Sequence, residues 1–168
     1  MKIAIVGPSG VGKSTIAAAL GSHYAIKAYE FDAIYWDLTQ DNYVKNQEEV
    51  MSHQITLILK QNEWIMEGAY DRRMMAFFEA SSVIFRVKTP YSRIVFRLVK
   101  RYLLAKLTKK KPIESWKNTI ELLKFSKKFE ARLDHFFEEN PVFLNKLVVV
   151  ADAAECIETI DNLDCCGL

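Results

Sequence analysis

Residues 7–15 of the chain read GPSGVGKST, which matches the phosphate-binding pattern G-x-x-x-x-G-K-[ST]. The glycines of this pattern let backbone N–H groups turn toward one anion without a Cβ in the way. Lys13 would bring a positive charge to the β- and γ-phosphates of a nucleotide, and the Ser14 hydroxyl would ligate Mg²⁺. We therefore expect ATP, or another nucleoside triphosphate, to bind with Mg²⁺ at the loop residues Gly7, Ser9, Gly10, Val11, Gly12, Lys13, Ser14 and Thr15.

A predicted strand precedes this loop and a predicted helix follows it, as a phosphate loop requires. Residues 2–6 form a short apolar run typical of a buried strand, and residues 14–22 are rich in Ala, Ile and Leu, which favours a helix. A helix that begins at the loop adds the positive end of its dipole to the anion site. The alternative is a glycine-rich turn that binds no ligand. However, both the residue spacing and the flanking strand and helix match a phosphate loop.

The rest of the chain alternates short apolar runs with helical patterns, which predicts an α/β fold. The predicted strands are residues 2–6, 25–29, 64–67, 83–87 and 147–151. The predicted helices after the first are residues 46–61, 74–78, 90–106, 113–139 in two pieces, and a last one from residue 153. This order predicts a five-stranded parallel sheet with helices on both faces, like that of P-loop kinases, within one domain over residues 1–168.

Two carboxylates are predicted to follow strands, at the edge where parallel sheets bind ligands. Asp32 lies within FDAIYW after the second strand and could orient the hydroxyl of a small-molecule phosphoryl acceptor or take its proton. Its alternative role is to cap a short helix. Glu67 ends the third strand and could hold Mg²⁺ or act as a base, with a surface or helix-capping glutamate as the alternative. Gly68 after it would let a substrate approach the backbone closely.

A second group of candidate residues is basic. Of the chain's 23 basic and 21 acidic residues, ten basic and no acidic residues lie in the stretch 80–113, so the remainder holds 13 basic and 21 acidic residues. Such a segment on an otherwise acidic body implies an anionic partner. The ten cations are Arg86, Lys88, Arg93, Arg97, Lys100, Arg101, Lys106, Lys109, Lys110 and Lys111.

Three arginines of this segment, Arg93, Arg97 and Arg101, are four residues apart and therefore share one face of the predicted helix. They could hold the phosphates during transfer, and Arg72 is a further candidate phosphate contact unless it forms an ordinary surface pair. The opposing apolar seam is predicted to contain Tyr91, Val95, Leu98, Tyr102 and Ala105. Residues 86–115 would then be a basic helix and a helical lid, with a solvated charge run or a nucleic-acid contact as the alternatives.

Composition limits the remaining function classes. Half of the residues are hydrophobic, yet no apolar run approaches the roughly 20 residues that span a bilayer, so we expect no membrane partner. A strand that begins at residue 2 argues against a cleaved signal segment.

The three cysteines have no metal-ligand spacing, which favours a cytoplasmic setting. The adjacent cysteines 165–166 indicate an ordinary tail or, alternatively, a redox-sensing pair. The oligomeric state is left open.

Four segments together resemble a known family. The loop GPSGVGKST, the segment FDAIYW, the segment WIMEGAY and the arginine-rich helix are similar to those of the adenylate-kinase-like P-loop proteins known as DNA topology-modulation proteins, up to about residue 105. The wider group of nucleoside-monophosphate kinases is also similar, and this resemblance implies a five-stranded parallel sheet with a lid. Adenylate kinases have Asp-Gly-Phe-Pro-Arg where this chain has EGAYDR at residues 67–72, so the acid and glycine match, the proline is missing and the arginine falls one place later.

The motifs and the resemblance together predict phosphoryl transfer from Mg²⁺-bound ATP to a small acceptor such as a nucleotide or nucleoside. In this reading Lys13, Glu67, Asp32 and Arg97 take part in transfer, and Ser14 and Glu67 hold the metal ion. The alternative is a nucleotide-dependent regulator that binds nucleic acid through residues 86–111 and hydrolyses ATP slowly.

Overall fold

The computed structural model describes residues 1–37, 39, 44–108 and 116–165. The strands of this described part are β1 (Lys2–Val6), β2 (Ala28–Glu30), β3 (Trp64–Gly68), β4 (Val83–Val87) and β5 (Leu147–Val150). Its α-helices are α1 (Lys13–Tyr24), α2 (Phe31–Tyr35), α3 (Glu48–Leu59), α4 (Met75–Ala80), α5 (Tyr91–Thr108), α6 (Trp116–Glu139) and α7 (Ala153–Cys165). Short 3-10 helices cover Arg72–Met74 and Pro141–Lys146.

The described strands form one parallel sheet in the order β2-β3-β1-β4-β5. β1 lies at the centre, and its register pairs Ile5 with Glu67 and Val6 with Gly68 on β3. The loop after β1 therefore begins beside the end of β3, where Glu67 lies. This sheet confirms the predicted fold class.

Each face of the sheet is covered by its own apolar core. One core joins alternate residues of β1, β3 and β4 to α3, α4 and α6, with Trp64 and Phe77 among its fully buried members. The other joins the intervening residues to α1, α5 and α7, with Ile5 and Phe85 at its centre. The three central strands, β1, β3 and β4, are buried on both faces, which explains why they read as nearly continuous apolar runs.

The second strand begins three residues later than residues 25–29 predicted. Ala25 has a left-handed conformation, with φ 57°, and its N–H bonds to the carbonyl of Gly21 at the end of α1. This cap ends α1 and turns the chain, so extended backbone starts only at Ala28.

The prediction that residues 113–139 form two helical pieces is wrong over the described part, because α6 is continuous from Trp116 to Glu139. Its buried stripe passes through two small polar residues, Thr119 and Ser126, before Phe129 and Leu133. The apparent shift of the seam therefore needs no break in the helix. None of the described helices is both long and apolar enough to cross a membrane.

The apolar seam of α5 is only partly as predicted. Leu98 is buried, but its buried partner is Ile94, with 1% and 2% of these residues exposed. Tyr91, which was expected in the seam, is 44% exposed. The cause is tertiary, because Ile94 and Leu98 pack beside Gly10 of the phosphate loop and this contact decides which face of α5 points inward.

Arg86 does not belong to a basic surface, contrary to its place among the ten predicted cations. It lies in β4 and is 5% exposed. Its guanidinium donates to Asp134 at 2.6 Å and to the Glu130 carboxylate at 2.9 Å, both on α6. The alternation along β4 turns this side chain toward α6, where the two carboxylates neutralise it.

Candidate functional site

The phosphate loop joins β1 to α1 and has the backbone that an anion cradle needs. Gly10 and Gly12 have φ values of 86° and 108°, which residues with a side chain rarely adopt. Gly12 is the N-cap of α1, and Lys13 is its first residue. The first turn of α1 contains no acidic side chain. Its N-terminal N–H groups and the positive end of its dipole can therefore act on an anion bound in the loop.

Lys13 and Glu67 form a buried pair beneath the loop. The Lys13 ammonium donates to the carbonyl of Pro8 at 3.1 Å and lies 4.0 Å from Oε2 of Glu67, and both side chains are 8% exposed. Burial lowers the pKa of Lys13, and the charge of Glu67 opposes that shift. Burial likewise raises the pKa of Glu67, against the effects of Lys13 and Ser14. An incoming anion would supply the second negative charge that favours a charged lysine here.

The Ser14 hydroxyl donates a 2.5 Å hydrogen bond to Oε1 of Glu67. Serine and carboxylate oxygens are ligands that Mg²⁺ accepts. Among the described residues, no cluster of three or more His, Cys, Asp or Glu side chains could hold a metal ion alone. Mg²⁺ is commonly bound by one or two protein oxygens together with substrate phosphates and water. The Ser14–Glu67 pair fits that kind of site and does not fit a metal cage made of protein alone.

Asp32 lies in the first turn of α2, and its carboxylate accepts a 2.6 Å hydrogen bond from the Tyr70 hydroxyl. The N-cap of this helix is Glu30, so the alternative that Asp32 caps a helix is wrong. Burial lowers the pKa of Lys13 and the charge of Asp32 partly opposes that shift, which places Asp32 within electrostatic reach of the buried pair. Burial and the neighbouring Asp32 raise the pKa of Tyr70, so its hydroxyl keeps its proton and remains a donor.

The segments FDAIYW and WIMEGAY meet in space. The Tyr70 ring lies 4.8 Å from the Phe31 ring and 5.3 Å from the Tyr35 ring, between ring centres. A Cβ on Gly68 would lie 2.7 Å from Sδ of Met74 and 2.9 Å from Cβ of Phe31. Gly68 therefore lets these side chains pack against β3, which is a reason for glycine that the sequence analysis did not find.

Arg72 is 75% exposed and pairs with Glu139 at 3.4 Å, as its surface-pair alternative expected.

The residue that the sequence analysis missed is Arg132 on α6, whose Nε donates to Asp71 at 2.7 Å. Its guanidinium also lies over the rings of Phe125 and Phe129. Burial alone would raise the pKa of Asp71, but the hydrogen bonds from Arg132 and from the Arg72 N–H outweigh it and lower that pKa. No pattern in the sequence linked Arg132 to Asp71, which lies 61 positions earlier in the chain.

The structure distinguishes the three arginines of α5. Arg97 donates to the backbone carbonyls of Gly10, at 3.4 Å, and of Val11. Arg101 is close enough for its charge to lower the pKa of Lys13. No hydrogen bond or ion pair joins the exposed side chain of Arg93 to the loop within the described part of the chain. The lysines 109–111 and the rest of the predicted lid to residue 115 lie outside the described residues.

Helix α6 contacts the loop from the other side. The Ser126 hydroxyl donates to the carbonyl of Ser9 at 3.1 Å. Ser126 also lines a cavity of about 590 Å³ between the start of α5 and α6. The cavity lies beside the loop, and its lining does not include Lys13, Asp32 or Glu67.

Solved structures of other proteins have the same fold. An uncharacterized protein from Eubacterium ventriosum aligns with a TM-score of 0.59 and 15% identity, over 97% of each chain. The shikimate kinase from Bacteroides thetaiotaomicron aligns with a TM-score of 0.51 and 16% identity, over 91% of this chain and 86% of that one. A shikimate kinase from Acinetobacter baumannii in complex with shikimate has a TM-score of 0.51 and 14% identity, over 99% and 94%.

The chain has a P-loop kinase fold. Identities this low show the fold alone. Neither a protein-family model nor a curated protein matches the chain. The resemblance to DNA topology-modulation proteins is not confirmed and stays a prediction.

Proposed function

We propose that the protein transfers a phosphoryl group from Mg²⁺-bound ATP, or another nucleoside triphosphate, to a small acceptor. The observation that supports this most is the 2.5 Å contact between Ser14 and Glu67 beside the buried Lys13. A loop that only binds phosphate needs no carboxylate beside its hydroxyl. Phosphoryl transfer, whether to water or to another acceptor, needs one, because the metal ion must be held while charge develops on the phosphates.

The donor phosphates would lie against the N–H groups of residues 10–15, with Lys13 moving from the carbonyl of Pro8 to the β- and γ-phosphates. Mg²⁺ would supply Lewis-acid stabilisation of those phosphates. Ser14 and Glu67 would hold it. Arg97 and Arg101 lie on the α5 side of the loop and could turn toward charge that develops during transfer.

The acceptor would lie on the side of β2 and β3, near Asp32. The Tyr70 hydroxyl occupies one carboxylate oxygen of Asp32 at 2.6 Å, and Asp32 as a whole is exposed. The other oxygen could then accept a hydrogen bond from an acceptor hydroxyl and orient it for attack. The names of two solved structures of similar fold, both shikimate kinases, support a small hydroxylated acceptor.

A screen of small hydroxyl and phosphate compounds for ADP production with Mg²⁺-ATP tests this proposal, with Lys13→Ala as the blank. We expect at least one compound class to give saturable turnover that the blank lacks. Turnover that no acceptor stimulates, together with salt-sensitive protection of residues 86–108 by duplex DNA, would instead favour the nucleic-acid regulator.

A further inference from the structure

Helix α5 is apolar on two opposite sides. Its inner side buries Ile94 and Leu98 beside the phosphate loop. Its outer side presents Phe96, Leu103 and Leu107, which are 68%, 52% and 80% exposed. These residues are seven and four positions apart, so they form one stripe along the helix. We call this stripe the outer face of α5.

Cations border the outer face. Arg93 and Lys100 lie three residues before and four residues after Phe96, and Lys106 lies three residues after Leu103. All three are exposed, and no ion pair within the described residues contains any of them. The sequence of α5 contains no acidic residue. The outer face therefore combines unpaired positive charge with exposed aromatic and aliphatic surface.

We propose that the outer face of α5 docks on the surface of an anionic lipid bilayer. Large apolar side chains can enter the boundary between headgroups and acyl chains, while lysine and arginine stems extend their charges to lipid phosphates. The expectation of no membrane partner rested on the absence of a spanning segment. Surface docking needs only one helix face of this composition.

Two other occupants fit the outer face less well. In a symmetric contact with a second copy, the same cations would face one another across the interface without acidic partners on α5. A duplex nucleic acid would neutralise the cations, but its phosphate backbone offers no apolar surface to Phe96, Leu103 and Leu107. An anionic bilayer satisfies both features together.

Docking on this side leaves the nucleotide loop in place, because Ile94, Leu98 and Arg97 hold the loop from the inner side and its flank. The proposal thus stands independently of the proposed kinase activity. It can be tested with the intact protein and without an acceptor.

The experiment is co-sedimentation of the full chain with vesicles of phosphatidylcholine alone and of phosphatidylcholine mixed with phosphatidylglycerol, at low and high salt. The test variant carries Phe96→Ser with Leu103→Ser. The matched control carries Val142→Ser with Leu144→Ser, two residues that are 68% and 52% exposed in the 3-10 helix Pro141–Lys146. A second test variant, Lys100→Gln with Lys106→Gln, removes charge and leaves the apolar residues unchanged. Thermal melting checks that each variant is folded.

We expect the wild type and the control to bind the anionic vesicles in a salt-sensitive way. The apolar test variant should have an affinity for these vesicles that is lower by about tenfold or more. The charge variant should lose the preference for phosphatidylglycerol. Absence of wild-type binding to anionic vesicles would overturn the proposal, and so would equal binding by the folded apolar variant. Dimerisation of the wild type that Phe96→Ser with Leu103→Ser abolishes would overturn it in favour of a second copy. Binding of duplex DNA in place of vesicles would assign the face to nucleic acid.

Discussion

The hydroxyl of Ser14 donates a 2.5 Å hydrogen bond to the carboxylate of Glu67, across 53 positions of the chain. The pairing of β1 with β3 creates this contact, because it sets Glu67 beside Ile5 and directly under the phosphate loop. The two residues that best fit an Mg²⁺ site thus come from the first and third strand–loop units.

Replacing Lys13 with Ala should abolish most turnover and weaken ATP binding. The ammonium is the only candidate side-chain charge at the phosphates within the first turn of α1, so we expect turnover to fall by about a hundredfold or more. Ligand-free thermal stability should change little, since burial already disfavours this charge. Calorimetric ATP titration and melting curves measure both effects. Lys128→Ala on α6 is the control, and equal ATP affinity in both variants would remove Lys13 from the site.

Replacing Glu67 with Gln should change the Mg²⁺ dependence of ATP binding and turnover. The variant keeps the size of the side chain and its contact with Ser14, but it loses the negative charge that a divalent cation prefers. We expect the Mg²⁺ concentration for half-maximal turnover to rise about tenfold, while ATP binding without metal changes little. An unchanged Mg²⁺ titration would show that Glu67 does not support the metal ion.

Stability should also depend on the pH through Glu67. Burial raises the pKa of this carboxyl above its usual 4.5, so the folded state holds the proton more tightly than the unfolded chain does. The stabilisation from that proton is complete below pH 4.5 and is lost as the pH rises through the raised pKa. Urea unfolding of the ligand-free protein from acid to neutral pH should therefore show the wild type losing stability relative to Glu67→Gln. A constant difference between the two proteins over this range would contradict the shift.

Replacing Tyr70 with Phe should loosen Asp32 without affecting the donor loop. The change removes the hydroxyl that donates to Asp32 at 2.6 Å and keeps the ring between Phe31 and Tyr35. We expect a stability loss of about 1 kcal/mol and lower acceptor-stimulated turnover at unchanged ATP affinity, as for Asp32→Asn.

Tyr29→Phe is the matched control for that variant, because the Tyr29 hydroxyl donates to Gln61 at 2.9 Å instead. If both tyrosine variants lower turnover equally, the effect does not arise from Asp32.

Replacing Arg86 with Met should destabilise the protein far more than replacing Arg72 with Met. Arg86 is buried and holds Glu130 and Asp134, so we expect a loss of about 2 kcal/mol after allowance for the partial exposure of both carboxylates. The exposed Arg72–Glu139 pair should contribute less than about 1 kcal/mol. Urea midpoints measure the difference, and equal midpoints would show that Arg86 is no more important than a surface cation.

Patterns along the chain were enough to predict the phosphate loop, the order of strands and helices, and the parallel sheet. The loop and the individual elements depend on residues that are close together in the chain, and the alternation of strands with helices along the chain favours a parallel sheet. Glycine spacing in residues 7–15 selects the loop backbone, and apolar runs bounded by polar residues select strands that are buried on both faces. The resemblance also singled out FDAIYW and WIMEGAY, although it did not indicate that Asp32 and Tyr70 touch.

Which side chains meet depends on how the elements pack in three dimensions. Arg86 looked like one more cation of a basic segment until the pleat of β4 turned it toward Glu130 and Asp134. Arg132 reached Asp71 only because α6 packs across the sheet. The inner side of α5 was selected by the contact of Ile94 and Leu98 with Gly10, and a helix with apolar residues on two sides does not specify that choice alone. Contacts of this kind depend on distances in space, which local spacing along the chain does not encode.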